Sequence, residues 1–423
     1  MTTAIYRFVL VSAMLLVLAA GTVAGVRDFA EFELNINGSS TDNLFKDWNG
    51  HRDRYSKFGL TTKLYPTAWA ETKITTDYTV YDVDSAKTNF AYQLGITLVP
   101  LNEKSKTQLY LSANLKNVNY ADINDTSQAH SDLTNKSDFT SKNYDATMSI
   151  GHEWAPALYT KAGYSVKVVG YDDENINDRY DHELFAAVNY SFLGSNAVDL
   201  ELGYRFGDYD HAIDSGGTQN VIDRDTANSM LETNNLRWFY ISPRYSRSLG
   251  KRTGISMTYW HRRFVDQDNR VYVFGSSSGL LSPWTNVYEG SGVQLKVKTY
   301  LVPKLTVTAA VGYWEKSYLS ALEPFGLNGY PGAGPISPQA YVQDGKGNRD
   351  DIQRRINVKI QMPISTHSGY YLEPSLSIDY INNSSSVEGV PNLTYLPPGE
   401  PVYYISLYDY ECFTVSLDFK VRF

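Results

Sequence analysis

Two dipeptides, Asp181-His182 and Asp210-His211, are the residues of this sequence whose types could do catalytic chemistry. A carboxylate beside an imidazole can activate water as a general base. The pairing is weak here. Neighbouring residues of a strand point to opposite faces, and Asp is common in the chain, so chance accounts for both pairs. No G-x-S-x-G nucleophile elbow, H-E-x-x-H or phosphate loop is expected, and His51, His130, His152, His261 and His367 are scattered. The acidic stretches Asp122 to Asp138, Asp172 to Asp181 and Asp208 to Asp225 lack the spacing of a calcium loop and read as solvated loops. The single cysteine, Cys412, excludes an internal disulfide and a Cys-based zinc site. The expectation is a protein that is not an enzyme, with no metal and no cofactor.

The elements that position these groups are strands. From Phe413 to Phe423, apolar and polar residues alternate without a miss. Phe413, Val415, Leu417, Phe419, Val421 and Phe423 share one face, and Thr414, Ser416, Asp418, Lys420 and Arg422 the other. The run is about as long as a tilted strand crossing a bilayer. The same alternation recurs along the chain. A short first strand holds Phe32, Leu34 and Ile36, and a second runs from about Tyr55 to Tyr65 and is turned by Pro66. Phe90, Tyr92, Leu94, Ile96 and Leu98 mark the fourth, and Val198, Leu200, Leu202, Tyr204 and Phe206 the ninth. The count reaches about 16, an even number. Tight turns follow the even-numbered strands, and mostly longer polar loops follow the odd ones. The longest loop, 319–349, is rich in Gly and Pro and either folds inward to narrow a pore or projects outward.

The terminal strand, ending on Phe423, resembles that of Gram-negative outer-membrane β-barrels. The mature chain as a whole is similar to bacterial porins, by pattern and not by a residue-specific motif. This resemblance implies an all-β fold, a transmembrane antiparallel up-and-down β-barrel with short periplasmic turns and long extracellular loops. It also implies that Phe423 is an assembly signal read by the barrel assembly machinery.

Composition agrees. The chain has 423 residues, 14% of them aromatic, with 34 Tyr leading, which suits girdles at two membrane interfaces. Beyond the N-terminus no stretch is long and apolar enough for a membrane helix. A formal net charge of −8 argues against nucleic acid as a partner. Arg7, the apolar run Phe8 to Ala20 and the small residues after it read as a secretory signal over 1–24, cleaved after Ala24. Residues 25–423 are then one barrel domain in the outer membrane, bounded by lipid and lipopolysaccharide.

If one parity faces lipid, the other faces the lumen. The basic lumen residues concentrate on neighbouring strands as Arg244, Arg262, Lys296, Lys298, Arg355 and Lys359. Glu71, Asp77, Asp145, Asp199, Glu201, Glu373, Asp379 and Asp418 represent the acids that dominate most of the remaining wall. Lys57, Lys63, Lys420 and Arg422 are among the exceptions to this separation. Opposed charges across water would make a transverse field suited to passing ions or small hydrophilic solutes; the alternative is mutual neutralisation in a filled lumen. Homo-oligomers are compatible with either. Two other functions stay open. The barrel could sheathe a periplasmic cytochrome, which must come from a partner because the chain has no C-x-x-C-H motif. It could export exopolysaccharide past Trp69, Tyr110, Trp238, Tyr240, Trp260, Trp314, Tyr371 and Tyr408, which fall on the lumen parity.

Overall fold

The structure, a computed structural model, describes residues 30–42, 52–83, 88–100, 105–120, 140–171, 179–209, 235–265, 288–318, 341–343, 350–365, 370–389, 405–406 and 409–422. The segment 1–24, Asp210-His211, Tyr408, Phe423, the stretch 122–138 and nearly all of the loop 319–349 lie outside them.

Sixteen strands form the wall. They are β1 (Ala30–Thr41), β2 (Asp53–Thr67), β3 (Ala70–Tyr81), β4 (Asn89–Leu98), β5 (Thr107–Tyr120), β6 (Ser141–Ala155), β7 (Leu158–Tyr171) and β8 (Arg179–Phe192). The second half comprises β9 (Asn196–Tyr209), β10 (Asn235–Leu249), β11 (Thr253–Phe264), β12 (Tyr288–Val302), β13 (Leu305–Tyr318), β14 (Asp350–Gln361), β15 (Tyr371–Ser385) and β16 (Tyr410–Arg422). Each pairs antiparallel with its sequence neighbours. β16 also pairs with β1, from Glu33 opposite Arg422 to Thr41 opposite Thr414, so no barrel edge remains. Short strands Tyr341–Gln343, Val387–Gly389 and Ile405–Ser406 form a separate small sheet.

Followed across every pair once round the cylinder, the register returns to β1 displaced by about 20 residues. With strands about 4.8 Å apart and about 3.3 Å per residue, that shear tilts them by about 40° and sets a backbone radius of about 16 Å.

The two parities separate cleanly. On the convex face Leu94, Met148, Leu184, Leu202, Leu295, Ile356 and Leu417 are exposed apolar side chains, as lipid requires. Aromatic residues meet across strands near one end of this face: Phe58 opposite Tyr78, Tyr78 opposite Phe90, Tyr204 opposite Phe239 and Tyr380 opposite Phe413. Trp154, Tyr190 and Phe192 lie at the other end. Among the described residues, the outward charges Arg54, Lys142, Arg237, Arg263, Glu289, Glu315, Arg354 and Glu411 all lie toward the first rim, and Arg247 toward the second. The band between carries none. That is the lipid-facing surface of a membrane-spanning barrel.

The connections alternate only in part: where tight turns were expected after β4 and β14 the chain runs through eight residues (99–106) and nine (362–370), more than the seven that follow β3 and β7. Strands β2–β3, β6–β7, β8–β9, β10–β11 and β12–β13 are joined by two or three residues at 68–69, 156–157, 193–195, 250–252 and 303–304. Long connections leave the opposite rim, for example 210–234 and 265–287. The rims are called here the short-turn end and the long-loop end. Two local expectations change. β1 is longer than its apolar core suggested, because Gly38, Ser39 and Ser40 continue the ladder against Ser56, Tyr55 and Arg54. Pro66 does not turn the chain. It sits inside β2 beside a register shift between Leu64 and Thr67, where its missing N–H costs no ladder bond, and the turn follows at 68–69.

Candidate functional site

The concave face is the site. All fourteen charged positions expected there have the strand parity opposite to that of the exposed apolar residues. Arg244 lies on β10, Arg262 on β11, Lys296 and Lys298 on β12, and Arg355 and Lys359 on β14. Glu71 and Asp77 lie on β3, Asp145 on β6, Asp199 and Glu201 on β9, Glu373 and Asp379 on β15, and Asp418 on β16. Lys316 on β13 joins the basic strip and Asp351 on β14 is an acid within it; neither was singled out from the sequence, although their parity would have placed both.

Cross-strand pairing decides which of these charges are spent. At the two edges of the basic strip, Arg244 reaches Asp199 at 2.8 Å and Arg355 reaches Asp379 at 2.7 Å. Asp199 also accepts from Asn189, and Asp418 accepts from Asn37. Asp145 accepts from Asn114 at 2.8 Å, and the Tyr371 hydroxyl donates to Glu373 at 2.5 Å. The Tyr240 hydroxyl lies 2.8 Å from Glu201 and 2.7 Å from Glu183. Across the barrel the acids are offset only in part, and Glu71, Asp145, Glu201, Glu373 and Asp418 have no cation within ion-pair distance among the described residues. Lys57 pairs with Asp77 at 3.1 Å, Lys420 with Glu33 at 3.1 Å, and Arg422 with Glu33 at 2.7 Å. Lys296, Lys298 and Lys359 have no carboxylate within ion-pair distance among the described residues; Lys298 lies over the Tyr300 ring. The transverse asymmetry therefore has two sides: cations without a carboxylate on β12 and β14, and carboxylates without a cation on β3, β6, β9, β15 and β16.

Arg262 is fixed by rings. Its guanidinium stands 4.1 Å from the Tyr288 ring centre and within 5.6 Å of those of Trp238 and Trp260. Arg205 lies over Trp238, and Lys316 over Tyr288. A guanidinium packed on aromatic faces loses little entropy on ordering and keeps its charge. Trp314 lies flat over glycines. A Cβ on Gly292 or Gly312 would come within 2.1 Å of its indole, so the close approach needs both glycines. Tyr110, Tyr240, Trp238, Trp260, Trp314 and Tyr371 thus share the lumen face, while Trp69 sits in the β2–β3 turn.

Access to the wall varies from residue to residue. Near the long-loop end the inward residues Asp181, Asp351, Asn383, Trp238, Phe264 and Cys412 are all buried, at 4% exposure or less. Farther toward the short-turn end, the Arg244 side chain is 53% exposed and that of Arg355 45%. Small inward residues close to the short-turn end are buried too, Thr306 at 3% and Ser375 at 5%.

The Asp-His pair does not converge. Asp181 faces the lumen and pairs with Arg205 at 2.6 Å. His182 faces outward, where its Nδ1 lies 2.5 Å from the Tyr164 hydroxyl and its ring stacks on Phe206. The stretch Gly275 to Gly279 spells G-x-S-x-G. That spelling corrects the expectation that the pattern is absent; it falls between β11 and β12, outside the described residues. Among the described residues no group of three His, Cys, Asp or Glu is placed to hold a metal ion.

No protein-family model matches the chain, and no curated protein matches its sequence. Among solved structures, OpdK from Pseudomonas aeruginosa is similar at 10% identity, covering 94% of this chain and 100% of that one, with a TM-score of 0.46. OccAB4 from Acinetobacter baumannii is similar at 9% identity, covering 93% and 98%, with a TM-score of 0.43. CdiB from Acinetobacter baumannii shares 12% identity over 92% of this chain, with a TM-score of 0.44, and this chain spans 60% of its length. Likenesses this distant add nothing to what the strand registers establish.

Proposed function

We propose that this chain is an outer-membrane porin, a water-filled channel for passive diffusion of ions or small hydrophilic solutes. The observation that carries the reading is the closed sixteen-strand wall, apolar outside and charged inside. A cylinder of this strand number encloses more space than its side chains fill. Export by the signal 1–24, recognition of Phe423 by the assembly machinery, and long loops facing lipopolysaccharide belong to the same proposal. So does assembly into homo-oligomers.

The unpaired cations set the expected selectivity. In water, a unit charge about 10 Å from a passing ion contributes about 0.4 kcal/mol. Three such lysines stabilise a passing anion by about 1.2 kcal/mol and destabilise a cation by as much, a difference of about 2.4 kcal/mol before screening. At about 0.1 M salt the Debye length is about 10 Å, which cuts the anion-over-cation preference to roughly fourfold, and at 0.01 M it recovers to roughly twentyfold. The test is reconstitution in a planar bilayer, with reversal potentials under a salt gradient. Conductance steps are expected, with a chloride preference that grows as salt is lowered. A well-folded sample without steps sinks the pore, and a cation preference sinks the role given to Lys296, Lys298 and Lys359.

A further inference from the structure

Toward the short-turn end the lumen wall holds a cavity of about 820 Å3. The side chains explain why it exists. Ser246 on β10 and Gly254 and Ser256 on β11 are small inward residues on neighbouring strands, so the wall is recessed there. A Cβ built on Gly254 would meet only the Arg247 carbonyl oxygen, at 3.8 Å, which leaves the floor open. Cations border the recess: Arg244 on β10, and Lys296 and Lys298 on β12. The register sets Lys296 opposite Ser256 and Lys298 opposite Gly254, so each long cationic side chain stands beside a short one. The β8–β9 turn closes the rim. The Ser248 amide donates to the Ser195 carbonyl at 2.9 Å, and Leu193 on that turn lines the cavity.

Charge selects the ligand. Arg244 is engaged with Asp199, whereas Lys296 and Lys298 face the recess without a carboxylate in ion-pair reach among the described residues. Two ammonium groups on one strand repel each other, and a ligand with two negative charges offsets both, where a monovalent anion offsets one. The Ser246 and Ser256 hydroxyls can donate to ligand oxygens. We infer that this recess is a binding subsite for a small dianion, a dicarboxylate or a phosphate, at the short-turn mouth of the barrel. For the ligand's route this rests on the porin reading; the binding itself can be measured without it.

The test is titration calorimetry on the full-length barrel folded in detergent, with succinate and inorganic phosphate as probes and acetate as the monovalent control. At least one dianion gives saturable heat, with acetate at least fivefold weaker. K296Q combined with K298Q weakens the dianion at least tenfold. K359Q, on the same strip but outside the recess, changes it less than twofold. G254V keeps every charge, fills the floor, and weakens binding at least fivefold. Heat-modifiable gel mobility confirms that each variant is folded. Dianion binding that is absent from the wild type, unchanged in the double lysine variant, or equally reduced by K359Q overturns the subsite. Bilayer conductance separates the two claims: a barrel that conducts without binding loses the subsite alone, and one that binds without conducting loses the porin reading alone.

Discussion

Leu295 and Gln294 are adjacent on β12, at one depth in the wall, and they should respond in opposite ways to the same substitution. Leu295 is the middle residue of Tyr288–Val302 and faces outward, 44% exposed, between Met257 and Val311. Gln294 faces inward, between Thr258 and Gly312. Arginine on the lipid face near the bilayer midplane costs about 2–4 kcal/mol. Losing leucine's partial burial against lipid adds about 1 kcal/mol. Leu295→Arg should therefore destabilise the barrel by about 3–5 kcal/mol, a factor of more than a hundred in the folding equilibrium. Gln294→Arg exchanges one water-facing polar side chain for another and should cost about 1 kcal/mol or less. The assay is reversible denaturant unfolding of protein folded into lipid vesicles, followed by tryptophan fluorescence at matched lipid composition. Equal costs, or a larger cost for Gln294→Arg, would mean that the apolar parity does not face lipid, and the assignment of lumen residues would fall with it.

Two further outcomes follow from local geometry. Gly312→Val drives a side chain into the Trp314 indole, where the clash distance for a Cβ is already 2.1 Å. It should cost about 1–3 kcal/mol in the wild type and less than about 1 kcal/mol in a Trp314→Ala background, as unfolding midpoints would report; equal cost in both would refute the contact. Arg422→Ala removes a guanidinium from the β1–β16 seam, 2.7 Å from Glu33 and over the Tyr371 ring. That side chain is 43% exposed, so after solvent screening the loss should be about 1 kcal/mol or less and should shrink with added salt. A loss above about 3 kcal/mol, or one indifferent to salt, would show that the seam depends on the pair far more than a screened contact allows.

Strand parity was legible in the sequence because it is local. Side chains alternate with period two whatever the neighbours do. Phe413 to Val421 read the same way in isolation as in the closed barrel, and the assignment of Arg244 to one face and Tyr245 to the other needed no partner strand. Errors stayed at the ends, as in β1 and at Pro66, where polar residues or a proline hide a strand that only its neighbour's hydrogen bonds continue.

From its residues alone, this chain specified a wall of about sixteen antiparallel strands, which face of each is apolar, and therefore the set of charges available to the lumen. Height and partnership were decided by the tertiary structure. Shifting a strand by two residues preserves every face assignment, yet it changes which charges meet, so the pattern cannot distinguish one register from another. Pairing Arg244 with Asp199 and Arg355 with Asp379, leaving Lys296 and Lys298 unpaired, and lining up Ser246, Ser256 and Gly254 into one recess all depend on the register between strands far apart in sequence.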